Sequence, residues 1–495
     1  MVSTQPIASA RESLTDPLIE QLRRFYAEHD DAIEQSRHAR RYFYGYLALA
    51  LRSRVAPGQR VLEIGCGSGR LLASLEPSRG VGIDLSAPAV ERARRTYPGE
   101  NLRFVEGDGA DPHVLSTVGG PFDVILLVNV VTELVDVQRA FEVLQTVCHP
   151  RTRLLVYSYS RLWQPVLRLV EALGLKLKPA PADAWLPPEE VRNMLFLADY
   201  EPVRKDYQIL CPARIPFLSD FLNRYVGHVP GVEWLTLLYG IIARPSPSRF
   251  HGIRPTRPST SVIVPCRNEA GHIRPLVERL PVLPPNSEVL FVEGHSTDDT
   301  KAVIADVIAE NPARPWRLLS QPGRGKGDAV RTGFAHARGD VVLVLDSDMG
   351  VAPEDIPKFV DALVRGKGEV VNGSRMVYPM EGKAMRFLNL VANKVFAFLF
   401  SWLLGQQIRD TLCGTKALWR EDYERIAANR RYFGDFDPFG DFDLLFGASR
   451  LNLRIVDVAI RYHERQYGTT NISRFRHGWL LLRMSAFAAR KLKFV

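Results

Sequence analysis

The stretch VVLVLDSDMG (Val341–Gly350) runs five apolar residues straight into two aspartates one residue apart. A short apolar run that ends in turn residues predicts a strand buried on both faces. Where that strand becomes a loop, Asp346 and Asp348 emerge side by side, placed to face one cation together. A second switch of this kind lies far upstream in VLEIGCGSGR (Val61–Arg70), where a strand pattern enters a glycine-rich turn. A chain with two switch points has room for two active sites.

At 495 residues the chain exceeds one ordinary core and predicts two or three domains. Its 46% hydrophobic and 24% charged residues are those of a soluble globular protein. A net charge of +9 points to an anionic partner: phosphate, a membrane surface or nucleic acid. Nucleic acid ranks last, for want of zinc-ligand spacing, an aromatic RNA-binding strand or a basic tail. The five cysteines (Cys66, Cys148, Cys211, Cys266, Cys413) are odd in number and never form a CxxC pair. They read as reduced cytosolic thiols, not a disulfide frame or zinc site. The first residues lack the apolar core of a secretory signal, and no window offers about 20 uninterrupted apolar residues for a membrane span. The nearest is Phe387–Leu404.

Helix-like spacing in DPLIEQLRRFYAEH and ARRYFYGYLALALRSRV opens the chain, with Pro57–Gly58 as a stop. RVLEIG, GVGIDL, LRFVEGD, FDVILLVN, TRLLVYSY and YGIIARP then alternate with helical patterns, which is the rhythm of a parallel α/β sheet. RPSPSRFHGIRPTRPSTS (Arg244–Ser261), with four prolines, reads as a semi-extended linker. A second alternation follows from SVIVP onward, with no internal repeat between the halves.

In the first half, Glu63, Gly65, Gly67 and Gly69 form an ExGxGxG turn between strand and helix. Its glycines let backbone approach a ligand closely. Asp84 ends the next strand, Asp108 a third and Asn129 a fourth, at the sheet edge where open α/β sheets bind ligands. The acid ahead of GCGSG resembles class I S-adenosylmethionine-dependent methyltransferases over roughly residues 42–245. A dinucleotide-binding domain stays open on glycine spacing alone. The resemblance implies methyl transfer from S-adenosylmethionine, with Glu63, Gly65, Gly67, Gly69, Asp84, Asp108 and Asn129 as cofactor contacts. Small-molecule members often carry a histidine shortly after the Asn129 position. Here the run is NVVTELVD, and Glu133 reads as an exposed helix-start residue, so no catalytic base is assigned.

In the second half, SVIVPCRNE, VEGHSTDDT, GKGDAVRTGF and LVLDSDMG follow in order. As a set they resemble family-2 GT-A glycosyltransferases, and among them the group of dolichol-phosphate mannose synthase, over roughly residues 258–473. The resemblance implies inverting transfer from a nucleotide-sugar donor. Pro265, Glu269 and Glu293 would lie around the nucleotide, Lys326 near the donor, and Asp346 and Asp348 on Mg²⁺ or Mn²⁺. A metal neutralises the leaving diphosphate and takes hard oxygen ligands. Two departures stand out: the family's DDGS reads EGHS, and Gly350 replaces a glutamine ligand. NGSRM supplies Arg375, and RDTLCGTKALWR (Arg409–Arg420) resembles the acceptor-side loop. FGDFDLLFGASR offers Asp441 or Asp443 as the acidic group facing acceptor or metal. HERQYGTTNISRF supplies Arg465 to clamp the diphosphate, as a guanidinium suits that task. Arg375, Arg386 and Arg465 are the phosphate-facing arginines, and Asn389 lies on the acceptor side.

RFLNLVANKVFAFLFSWLLG (Arg386–Gly405) and the basic, apolar C-terminal RFRHGWLLLRMSAFAARKLKF each read either as core or as a bilayer-surface helix. The family resemblance favours the second. The expectation is therefore a two-domain α/β enzyme: a methyltransferase fold over residues 1–245, a linker over 246–260, a GT-A fold over 261–473 and a basic amphipathic helix over 474–495. Its glycosyl acceptor would be a polyprenyl phosphate and its place the inner face of the cell membrane, as a peripheral protein. The rival readings are a soluble enzyme using a small phosphorylated metabolite, and a chain in which one domain only binds or tethers.

Overall fold

The structure is a computed structural model that describes residues 16–174, 180–181, 184–250, 252–378, 387–432, 440–463, 467 and 474–494. The chain divides into two compact units. The first comprises Met1–Arg52, Pro57–Pro202 and Tyr207–Pro245; the second comprises Ser53–Ala56, Val203–Asp206 and Ser246–Val495.

The first sheet has seven strands: β1 (Arg60–Ile64), β2 (Arg79–Asp84), β3 (Leu102–Glu106), β4 (Val124–Val128), β5 (Arg153–Tyr159), β6 (Tyr200–Gln208) and β7 (Leu238–Pro245). Their order is β3-β2-β1-β4-β5-β7-β6. The first five are parallel and β7 runs antiparallel to β5. Strand order reverses between β1 and β4, which opens a crevice at their carboxyl ends. Leu62, Ile64, Val81, Ile125, Leu127, Leu154 and Val156 are buried in one core. Three helices, Pro17–Glu28, Asp30–Ala39 and Arg41–Arg52, precede the sheet. Asp16 caps the first of them, its carboxylate accepting from the Leu18 amide at 2.8 Å.

The second sheet also has seven strands: β8 (Thr260–Cys266), β9 (Glu288–Glu293), β10 (Trp316–Ser320), β11 (Val341–Val344), β12 (Val370–Ser374), β13 (Lys416–Trp419) and β14 (Ile455–Ala459). The order is β10-β9-β8-β11-β13-β12-β14, with β13 antiparallel to both its neighbours. β11 shows why its sequence is a continuous apolar run. Val342 and Val344 enter one core, while Val341 and Leu343 enter the core on the other face.

Helices Phe387–Leu404 and Arg474–Leu492 pack one face each into the core, through Phe396, Phe400, Leu403 and Leu404 and through Leu481, Met484, Ala488 and Leu492. Their other faces leave Val391, Val395, Phe398, Trp479 and Leu482 exposed. Core and surface are thus two sides of the same helices. Asn393 is no part of a polar outer face: it is buried and donates to Asp410 at 2.9 Å. Among the described residues no helix is long and apolar enough to cross a membrane.

Candidate active sites

In the first unit, the ends of β1, β2 and β4 open onto a cavity of about 280 Å³. Glu63, Gly65, Gly67, Asp84, Asp108 and Asn129 all line it. Gly69 does not; it stands at the start of helix Arg70–Ser74, where an added Cβ would lie 2.5 Å from the Phe104 ring. Asp84 is pinned by two backbone donors, the amides of Gly67 at 2.7 Å and Ser86 at 2.9 Å. Glu63 accepts from the Leu72 amide at 3.1 Å, and Asp108 from Ala110 at 2.9 Å. Burial nevertheless pushes the Glu63 carboxyl up to about 8 and raises Asp84 and Asp108 as well. The Asn129 side-chain oxygen is buried without a hydrogen-bond partner on the cavity wall, and its backbone takes φ 54°. The strand ends thus present acceptors to the cavity, so a ligand that brings ammonium, hydroxyl or amino groups would satisfy them.

The other wall comes from residues that the motif reading missed. Tyr26, Arg37, Arg40 and Tyr44 reach in from the three N-terminal helices, with Glu133, Tyr159 and Trp185 beside them. A Cβ at Gly67 would lie 2.2 Å from Arg37 Nη1, so the guanidinium rests directly on the glycine turn. Glu133 is not the exposed helix-start residue expected: it is half-buried at the end of the 3₁₀ turn Val131–Glu133 and bonds Tyr26, whose hydroxyl burial drives upward. The only hint in the sequence was the helical spacing of aromatic and basic residues in ARRYFYGY.

In the second unit, β8, β9 and β11 end together, with Cys266 in register with Glu293 and Val344 with Ile263. Asp346 meets Lys326, the first residue of helix Lys326–His336, at 2.5 Å. Gly414 makes this possible, because a Cβ there would lie 2.0 Å from Lys326 Nζ and 2.3 Å from Asp346 Oδ2. Burial disfavours the Asp346 charge, but Lys326, Lys416 and Arg375 outweigh it and hold the carboxyl below its usual range. Asp348 accepts from the Gly350 amide at 3.1 Å. At Gly350 an added Cβ would sit 2.9 Å from the Tyr462 ring, so this ring fills the space a longer side chain would need.

Several expected residues are already engaged. Arg375 forms a two-pronged pair with buried Asp410, at 2.7 and 2.9 Å, and lies over the Tyr462 ring. Asp410 is thereby structural, held further by Asn393 and the Leu412 amide. Glu269 pairs with His272 at 2.6 Å, and the other ring nitrogen of His272 accepts from the Tyr467 amide at 3.1 Å. The carboxylate at position 269 therefore orients the ring that receives the Tyr467 amide. Glu293 accepts from the Ser296 amide at 2.5 Å and so shapes its own turn; burial opposes its charge, but the Ser296 donors hold its carboxyl low. The Pro265 carbonyl accepts from the Ser347 hydroxyl at 2.9 Å, tying the β8 end to the DSD loop. Asp443 accepts from Arg430 at 2.9 Å, while only the backbone of Asp441, at the helix start, is described. Arg386 and Arg465 lie outside the described residues, as does the Asn389 side chain.

A methyltransferase-domain model matches residues 36–201 and a glycosyl transferase family 2 model matches residues 261–427. Polyprenol monophosphomannose synthase of Mycolicibacterium smegmatis is 30% identical over 227 residues, covering 45% of this chain and 83% of that protein. Glycosyltransferase AglJ of Haloferax volcanii is 28% identical over 229 residues, covering 46% of this chain and 71% of that protein. A solved SAM-dependent methyltransferase of Thermotoga maritima, described as a possible histamine N-methyltransferase, is 15% identical with a TM-score of 0.35, covering 45% of this chain and 99% of that one. The two family models and the likeness to the polyprenol monophosphomannose synthase define an enzyme with two transferase domains. The chain belongs to glycosyl transferase family 2 and carries a methyltransferase domain ahead of it.

Proposed function

We propose that the chain is bifunctional, transferring a sugar from a nucleotide-sugar to a polyprenyl-phosphate-type acceptor with inversion, and a methyl group from S-adenosylmethionine to an acceptor in the same glycan or glycolipid pathway. The observation that carries the glycosyl half is the pair Asp346 and Asp348 at the switch point of the second sheet, with Lys326 against Asp346. A relative named as a polyprenol monophosphomannose synthase supports the acceptor class.

Asp346 and Asp348 offer the hard oxygens that Mg²⁺ or Mn²⁺ takes. Among the described residues no cluster of three or more His, Cys, Asp or Glu side chains forms a fuller cage. Diphosphate oxygens and water would complete the coordination, and the metal would supply charge neutralisation as the diphosphate leaves. Lys326, with Arg465 and Arg386 from outside the described segments, would hold the diphosphate, and Arg375 would stiffen the wall beside Tyr462. A phosphate acceptor brings its own nucleophilic oxygen, so a strong protein base is not required. The exposed faces of helices Phe387–Leu404 and Arg474–Leu492 suit a peripheral membrane place.

For the methyl half, the unpaired Asn129 oxygen and the three raised carboxyl groups fit S-adenosylmethionine. Its ammonium, ribose hydroxyls and adenine amino group are donors that those acceptors could take. Asp84 would take the ribose and Asp108 the adenine edge, while Tyr26, Tyr44 and Glu133 line the opposite wall. The cofactor supplies the activated methyl; the protein's task is alignment.

The deciding assay follows transfer from a panel of nucleotide-sugars with Mn²⁺, with and without a short polyprenyl phosphate. Lipid-dependent transfer that disappears in Asp348→Ala is the expected result. Donor turnover indifferent to the lipid would overturn the acceptor assignment.

A further inference from the structure

The first unit carries an apolar face that its own core does not use. Helix Gln164–Ala172, entered through the turn Arg161–Trp163, has no buried residue. Leu162, Val166, Leu169 and Leu173 repeat at helical spacing and all are exposed, Leu169 by 62%. Helix Leu218–Arg224, which runs on into the turns Val226–His228 and Glu233–Leu235, leaves Phe217, Phe221 and Tyr225 exposed one turn apart. The indole nitrogen of Trp163 donates to the Leu235 carbonyl at 2.8 Å and the Ser160 amide to Leu237 at 2.8 Å, which ties the start of the first helix to the Glu233–Leu235 turn and adds exposed Trp234 and Leu235. Phe217 is 92% exposed at φ 63°, a left-handed backbone that a bulky residue rarely adopts. Strain that thrusts a phenyl ring into water needs a reason.

Arg161, Arg168, Arg214 and Arg224, on or next to these helices, are exposed. The acids there are fewer and partly spent: Glu171 and Glu233 are half-buried, and Asp220 accepts from the Tyr42 hydroxyl at 2.9 Å. Leucine, phenylalanine and tryptophan together with exposed arginines match the headgroup boundary of an anionic bilayer, where indole rings settle with their polar edge satisfied. The face also adjoins the methyl cavity. Its helix starts just after cavity-lining Tyr159, and the chain returns to the cavity wall at Ala180 and Trp185.

We propose that this face docks the methyltransferase unit on an anionic lipid bilayer and so sets the rim of its cavity at the lipid surface. The inference stands on the first unit alone and does not rest on the glycosyl reading. The test is flotation of the full chain with phosphatidylcholine vesicles, with and without phosphatidylglycerol. Leu169→Glu/Phe221→Glu is introduced into the native chain and into one already carrying Val395→Glu/Phe398→Glu, which breaks the exposed apolar face of helix Phe387–Leu404 in the other unit. Native protein should float only with anionic vesicles, and the pair at 169 and 221 should lower partitioning about tenfold in the second background. S-adenosylmethionine binding by calorimetry should be unchanged, as should sugar transfer in detergent. If the pair disturbs folding, Arg161→Glu/Arg168→Glu asks the same question through charge alone. Unaltered flotation, native protein that ignores anionic vesicles, or a native dimer that the pair turns into a monomer would each overturn the proposal.

Discussion

The two switch points use the same fold element for opposite electrostatics. Around β1 and β2, Glu63 and Asp84 are held by backbone amides, and burial pushes their carboxyl groups up. Around β11, Asp346 faces Lys326 and its carboxyl is held down. Behind it, Arg375 is neutralised by Asp410. The first crevice presents buried acceptors at its strand ends and suits a ligand whose donors meet them. The second is balanced by cations and suits phosphate and metal. A carboxylate at the end of a parallel strand therefore has no fixed meaning; its partner decides.

The largest expected effect breaks the second site alone. Asp348→Ala should cut glycosyl transfer by about a thousandfold, because charge stabilisation of the leaving diphosphate is the main catalytic term. Calorimetric binding of S-adenosylmethionine should not change. A loss of both activities would show that the sites are not the independent pair described here.

Asp410→Asn probes the frame behind that site. It leaves the Arg375 guanidinium buried with half a partner, at a cost of about 3–5 kcal/mol. The unfolding transition of the second unit should move down by several degrees, and that of the first should stay. Equal shifts in both would mean that the units unfold as one.

Asp84→Asn tests the first crevice. The amide can still accept one hydrogen bond but loses the second acceptor and the charge. S-adenosylmethionine affinity should fall about ten- to a hundredfold, as for one charge-assisted hydrogen bond. Metal-dependent sugar transfer should be untouched.

What the sequence made legible follows from the same contrast. Both switch points were visible because apolar runs ending in Gly or Asp are contiguous. β6 went unread because Pro202 and alternating charges in YEPVRKDYQ mask a sheet edge. β14 (IVDVA) is interrupted by Asp457, whose carboxylate accepts from Asn372 at 2.7 Å. The arginine roles were the least legible. Arg375 carries the family pattern, yet whether its charge is free depends on Asp410, 35 positions away. The second wall of the methyl cavity is likewise a tertiary product, since Tyr26, Arg37 and Tyr44 share no motif with the turn they cover. Gly350 read as a missing ligand; that the Tyr462 ring occupies the space beside it is a tertiary fact no local motif carries.

The smallest effect sharpens the comparison most, because it predicts opposite signs. Burial raises Glu63 to about 8 from an ordinary value of 4.5, so the folded state keeps a proton that the unfolded chain releases between those values. Its contribution to stability is full below about 4.5 and is lost as the pH rises toward about 8. Glu63→Gln lacks this loss, so its melting temperature should gain on the native protein by a few degrees between pH 5 and pH 8.5 and then level off. Asp346 runs the other way. Its lowered carboxyl contributes stability above the unfolded value near 3.8, and that contribution disappears as the pH falls through the folded one. Asp346→Asn should therefore trail the native protein from pH 7 down to about 4 and approach it only as the pH falls further, below the unfolded value near 3.8. Thermal scans of both variants across that range decide the matter. Parallel pH profiles would mean that the two crevices share one electrostatic character after all.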